Sequence, residues 1–523
     1  MRLAIALLVV IWALAATAIY SFAAGIKILK TDVGGGVLDA NTEGAGGVGT
    51  SDNVLPDGFT LQEIARGTDL LENPSGVITK FGLLSDGTPT EPDENTYLVF
   101  DHNPGGPTPH YNYGRRFLFQ GHENAGDLAY VTRINLDVED DAHRITLLTP
   151  VGGDSKTHFN RIDGSTWDPF TKTLLFTQEN GNAGGVIEVS GDWPPNPRTL
   201  HAFLGQGGYE GIHPDNRGNL YIAEDASGTA INVDPAHPGD NPKPTKNPNS
   251  FIYRFVPNDP TDLTAGGKLQ ALQVSIDGNI LEFVPVNAMH PTGDVFSDNQ
   301  LKLHTPGTSW PATWVTIHTS AAGDVAVFDA NAAAKAAHAT PFKRPENLQF
   351  LPGSGFNTFF FTATGDTDKR AGDVTDLLNR GAYGALFRVD FPGGGDSGMI
   401  SIFALGDEDH NSFDNLAFFG TSILLAAEDR GDLLHDQLNM LDSIWAYEVR
   451  KPGADPVRFV ALGRDAIAAP LNAEDNEPTG VHYSDGAATN QSLIGKPINP
   501  VKGRLFFTQQ HGDNVLWEVL GSH

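Results

Sequence analysis

The sequence predicts an all-β chain, a six-bladed β-propeller with long inter-blade insertions and a few short helices. Two observations carry this reading. Six short runs, each aliphatic or aromatic until it closes on Glu, Asp, Gln, His or Thr, recur at 116–124 (RFLFQGHEN), 173–180 (TLLFTQEN), 219–226 (NLYIAEDA), 358–366 (TFFFTATGD), 422–431 (SILLAAEDRG) and 504–512 (RLFFTQQHG). Each is followed by a partner in which apolar and polar residues alternate over part of the length: AYVTRINL, GVIEVS, SFIYRFVP, GALFRVDF, SIWAYEVR and NVLWEVL. Spacings of roughly 45 to 140 residues imply blades that carry insertions of unequal length.

In chain order, residues 1–24 have one early Arg, a long apolar stretch and small residues at the end, the layout of a secretory signal. The expected destination is the periplasm or the medium, and the protein contacts a membrane only if that segment stays uncleaved. Residues 25–58 form a Gly-rich leader without apolar periodicity, and 59–523 are expected to be one propeller domain. Inside it, the proline-dense stretch 234–249 is expected to be a rim loop. A second insertion, 258–343, holds an alanine-rich run at 329–339 that opens on Asp329 and precedes Pro341, the pattern of a short capped helix. Trp167, Trp445 and Trp517 occupy similar strand contexts and read as blade packing.

Charge then restricts function. The chain has 64 acidic residues against 34 basic ones, a net charge of −30, which disfavours nucleic acid as a partner because phosphate backbones are bound by basic faces. It contains no cysteine, so disulfides, thiolate metal sites and thiol nucleophiles are excluded. HExxH, P-loop and GxSxG patterns are also absent.

Propeller strands bring their ends to one mouth of the central channel. Glu123, Glu179, Glu224, Asp225, Asp366, Glu428 and Asp429 close the recurrent runs, and Gln178, Gln509 and His511 stand beside them, so a ring of oxygen ligands is expected there. Carboxylates crowded in this way repel unless cations hold them, and calcium suits such a donor set. His122 reads equally as a buried core histidine or a site residue, whereas Asp414 and Asn415 read as an Asx turn at a strand start.

The order of motifs, FLFQGHEN, GSTWDPFTKTLLFTQEN, GYEGIHPDNRGNLYIAED, FKRPENLQF, FDNLAF with LLAAEDRG, and NEPTGVHYSDG with LFFTQQHG, resembles the PhoX-type alkaline phosphatases. The resemblance implies a calcium- and iron-dependent phosphatase that acts on small phosphate esters, exported and expected here as a monomer. It assigns Glu210 and Glu346 as iron-binding glutamates, Arg344 as the phosphate-contacting arginine, and Glu123, Glu179, Glu224 and Asp225 as acidic strand ends that supply calcium ligands. One position departs: Gln178 stands where the family carries an iron-ligating cysteine, and a neutral hard amide is a poor ligand for ferric iron. Extended backbone at Pro345 is expected to project Arg344 and Glu346 to one side. Two other readings remain open, a non-catalytic calcium-binding propeller and another calcium-dependent propeller hydrolase.

Overall fold

The computed structural model describes residues 53–234, 244–366, 368–429, 434–438, 441–462, 477–511 and 513–521. The expected signal and most of the leader lie outside these residues, as does the centre of the proline-dense stretch; its end is not irregular as expected, because Pro244–Lys246 pairs as a short strand with Ala230–Asn232. Each recurrent run is a strand that pairs with its expected partner: Arg116–Glu123 pairs with Tyr130–Asn135, Thr173–Gln178 with Gly185–Val189, Leu220–Glu224 with Ile252–Pro257, and Ile423–Glu428 with Ser443–Glu448, all antiparallel.

A further strand precedes each run. These leading strands are Glu91–Val99, Ile162–Asp168, Tyr209–Pro214, Leu348–Phe350, Phe413–Phe419 and Glu477–Ser484. Each packs against the next, and the last returns to the first, so together they line a closed axial channel. The fold is all-β and propeller-like, with few helices.

Sheet order departs from six separate units. Among the described residues four sheets are four-stranded, one has ten strands and two are two-stranded hairpins. The cause lies in the second insertion. Its strand Trp310–Thr319 pairs with Gly267–Ile276 along one edge and with Ser397–Leu405 along the other, which ties two four-stranded meanders into one sheet. In that insertion the helix Ala330–Ala336 forms as expected: the Asp329 side chain accepts from the Ala332 amide, and Ala330 and Ala334 are buried.

Ring closure uses both ends of the described chain. Phe59–Ala65 completes the C-terminal sheet by pairing with Val515–Gly521, Phe59 opposite Gly521. The spaces between sheets are filled by aromatic clusters. Phe100 meets Phe117, Phe119 and Trp167, while Tyr221 meets Trp314, Phe350 and Phe359. Trp167 and Trp445 are buried, and Trp517 packs at the edge of a neighbouring cluster, as blade packing requires.

Candidate active site

Interruptions in the leading strands build the mouth of the channel. Register breaks fall between Pro92 and Asn95, Ile162 and Ser165, Tyr209 and Ile212, Phe413 and Leu416, and Thr479 and His482. A bulge re-aims the side chain it carries. The residues so placed include Asp93, Asp163, Glu210 and Asp414, and Glu346 holds the corresponding position just ahead of Leu348–Phe350. A second set comes from the far ends of the next strands: Glu123, Glu179, Asp225, Asp429 and Gln510.

The two sets are locked together by backbone. The amides of Glu179, Asp225, Thr364 and Asp429 donate to the carbonyls of Arg161, Gly208, Arg344 and Ser412 at 2.9, 2.8, 2.8 and 2.7 Å. Three of those acceptor residues, Arg161, Arg344 and Ser412, have positive φ (45°, 51° and 50°). Such conformations cost a non-glycine residue free energy and persist where the surroundings enforce them.

The result is a cavity of about 280 Å³ in which carboxylates face one another. Ligand atoms of Asp93, Glu123 and Asp163 lie within 4.8 Å of one another, as do those of Glu179, Glu210 and Asp225, and those of Glu210, Glu346 and Asp414. Burial, followed by the charge of neighbouring acids, pushes Glu123, Asp163, Glu210 and Asp414 well above the usual carboxylate range. Burial likewise lifts Asp93 to about 6 and Glu179 to about 8, and it raises Glu346 to about 7 against the opposing pull of Arg344.

Crowded acids of this kind either keep protons or share cations. The donor set is carboxylate oxygen with the Gln510 amide and the His511 imidazole close by, which fits hard cations such as calcium or magnesium. Arg344 is fastened among them. Its Nε donates to Asp225 Oδ2 at 2.7 Å, and its Nη2 lies 3.2 Å from Asp429 and 3.4 Å from Glu346. Arg344 and Glu346 therefore meet as expected, with Arg344 itself in the left-handed region at φ 51°.

Below this layer, Glu94 accepts from the Ser165 amide at 2.6 Å and from the Asn347 side chain. Thr364 Oγ1 donates to Glu346 at 2.6 Å, and Gln510 Nε2 to Asp93 at 3.0 Å.

Of the residues expected at the mouth, Glu123, Glu179, Glu210, Asp225, Arg344, Glu346, Asp429 and His511 meet there. Five others are turned away. Glu224 accepts from the Phe251 amide (3.1 Å), the Tyr253 hydroxyl (2.8 Å) and Asn331 (3.0 Å), while Glu428 accepts from the amides of Asn411 (3.2 Å) and Ser443 (3.0 Å). Gln178 donates to the Asn160 carbonyl at 2.9 Å, and His122 stacks on Tyr130 with its Nε2 2.8 Å from Thr132 Oγ1. Gln509 accepts from Trp517 and Asn53, both at 2.8 Å, in a groove outside the channel. The physical reason is the two-residue period of extended chain. In the pairs 122/123, 178/179, 224/225, 428/429 and 509/510, only the second member faces the mouth.

Asp366, also expected in the ring, instead pairs with buried Lys343 at 2.7 Å. The sequence reading missed Asp93, Asp163, Arg161, Glu91, Glu477 and Gln510, and it placed Asp414 in a turn. One signal was available: an acid stands two residues after the arginine in both Arg161-Ile162-Asp163 and Arg344-Pro345-Glu346.

The family described as alkaline phosphatase PhoX matches residues 149–431, more than half of the chain and a span that includes Asp163, Glu179, Glu210, Asp225, Arg344, Glu346, Asp414 and Asp429. No curated protein matches the sequence. Among solved structures, PhoX of Pseudomonas fluorescens in complex with vanadate, a transition-state analogue, is 13% identical, with 95% of this chain and 98% of that one covered at a TM-score of 0.56. That likeness is one of fold. A gluconolactonase of Xanthomonas campestris is more distant, 8% identical with 90% and 96% covered and a TM-score of 0.37. On the family match, and with the expected arginine and glutamates gathered in one cavity, the chain belongs to the PhoX alkaline phosphatase family, whose members are phosphoric ester hydrolases.

Proposed function

We propose that the mouth of the channel is a calcium-dependent phosphatase centre that hydrolyses small phosphate esters. The observation that carries this is the set of three carboxylate triads, two of them sharing Glu210, around the cavity that Arg344 also lines. The ring counts as six blades, with the ten-stranded sheet read as two blades sewn together by Trp310–Thr319. Asp93, Glu123, Asp163, Glu179, Glu210, Asp225, Glu346 and Asp414 are the residues that would hold calcium, which when bound would supply positive charge to polarise phosphoryl oxygens and lower the pKa of bound water.

The chain's own residues do the rest. Arg344 holds phosphoryl oxygens with its planar fork, and its bonds to Asp225 and Asp429 fix the orientation of that fork before substrate arrives. Thr364 and Gln510 orient Glu346 and Asp93. Iron has less support than calcium. The chain has no thiolate to offer, and Gln178 is bonded to Asn160 and His201 rather than turned to the mouth. Export follows from the residues at 1–24, and substrate esters are then those outside the cytoplasm.

The test is hydrolysis of p-nitrophenyl phosphate by chelator-treated protein resupplied with calcium, magnesium or iron, with metal content read by elemental analysis. Activity should return with calcium. Arg344→Lys should keep its metal and its melting temperature while turnover falls about 10²- to 10³-fold. A wild-type protein that binds calcium and hydrolyses nothing under any metal would leave a calcium-binding propeller as the reading.

A further inference from the structure

We propose that Arg161 is a second substrate-contacting arginine, which captures the phosphate group of the ester alongside Arg344; this rests on the phosphatase reading of the mouth. The two arginines occupy equivalent places in different sheets. Arg161 precedes the bulge acid Asp163 by two residues, as Arg344 precedes Glu346. Both are left-handed, with φ of 45° and 51°. The Arg161 carbonyl accepts from Glu179 and the Arg344 carbonyl from Thr364, in each case the amide that closes the neighbouring strand. The same local construction therefore delivers a guanidinium to the cavity twice.

Their partners differ, and that difference suggests the division of labour. Arg344 lies within 3.4 Å of three carboxylates, and its side chain is only 13% exposed. Arg161 meets one, Glu179, through Nη1 at 3.3 Å, and its side chain is 49% exposed. Its Nε and Nη2 make no hydrogen bond among the described residues. A guanidinium that lines the cavity with donors to spare is matched to an incoming anion. Apart from His511, the rest of the charged lining is acidic, so a phosphate dianion meets repulsion there unless cations oppose it. Arg161 is placed to bind the phosphate in ground state and transition state alike, which lowers KM rather than raising kcat.

The experiment uses the calcium-loaded protein at saturating calcium. Arg161→Gln retains an amide that can still donate to Glu179 but removes the charge, and Arg161→Lys restores charge without the fork. KM for p-nitrophenyl phosphate, inhibition by inorganic phosphate and calorimetric phosphate binding should all weaken about 10- to 100-fold in Arg161→Gln, with kcat near wild type. Arg161→Lys should recover part of the loss. Unchanged phosphate affinity in Arg161→Gln, a defect confined to kcat, or a lysine variant that binds phosphate no better than glutamine would each overturn the assignment. If wild type binds phosphate and hydrolyses no ester, the phosphatase reading fails instead, and calorimetry still decides the Arg161 contact.

Discussion

Glu224 and Glu428 sit one residue before Asp225 and Asp429, yet they are fastened to the blade interior by donors while the two aspartates hold Arg344 at the mouth. Glu224 and Glu428 are fully buried and raised to about 8 and about 7, much as Glu179 and Glu346 at the mouth are raised to about 8 and about 7. Desolvation is the first cause in all four. The neighbours separate them: around Glu224 and Glu428 they are donors and cations that favour the carboxylate, whereas Glu179 also bears the charge of Asp225 and Glu346, and Glu346 that of Asp225 and Asp429, in opposition to the pull of Arg344 on both. Burial therefore identifies a carboxylate that matters, and the sign of its neighbours tells whether it fastens the fold or waits for a cation.

The largest break in that comparison should come at Glu210, which belongs to two of the three triads. Glu210→Gln removes a shared ligand, so calcium content should drop and ester hydrolysis fall by on the order of 100-fold or more. The metal-free variant should melt no lower than metal-free wild type, because one source of repulsion has gone. The contrasting substitution is Glu224→Leu. It strands the Phe251 amide, the Tyr253 hydroxyl and Asn331, so it should cost about 1–3 kcal/mol in chelated and calcium-loaded protein alike, read by denaturant unfolding. Equal calcium dependence of the two variants would erase the distinction.

Titration sharpens it further. A carboxyl whose folded pKa is raised binds more protons folded than unfolded, so its contribution to stability is present at low pH and is lost as pH climbs from about 4 towards the folded value. With Asp93 at about 6, Glu346 at about 7 and Glu179 at about 8, metal-free protein should lose melting temperature steadily between about pH 4 and pH 8. Calcium should flatten that slope, since the cation favours the ionised form. Parallel slopes with and without calcium would mean that the mouth acids do not hold it.

The smallest effect is expected at Gln178→Cys. Its side chain bonds the Asn160 carbonyl and His201 and does not line the mouth cavity, so iron content after reconstitution should stay at the wild-type level. A gain of bound iron would show that this position can turn towards the mouth.

Half of the site was legible before the structure. Strand ends stand out because an apolar run stops on an acid, which is why Glu123, Glu179, Asp225 and Asp429 were accessible to inspection. Which member of a Glu-Asp or Gln-Glu pair faces the channel depends on register, and register is set by pairing across sheets that no local pattern records. Asp93 and Asp163 were hidden for a second reason: a bulge acid has polar or glycine neighbours such as Glu94 and Gly164, and it interrupts the very alternation that reveals a strand. The blade repeat was visible in the runs and their partners. The merged ten-stranded sheet was not, because Trp310–Thr319 lies in an insertion outside the repeat.

Crystals grown with calcium and inorganic phosphate provide the most direct measurement of the central claim, since diffraction would locate both. Cations should lie about 2.3–2.6 Å from carboxylate oxygens of Asp93, Glu123 and Asp163 and of Glu179, Glu210 and Asp225, with a phosphate oxygen within hydrogen-bonding distance of Arg344. Calcium bound elsewhere, with these triads closed up as hydrogen-bonded protonated acids at saturating calcium, would contradict it.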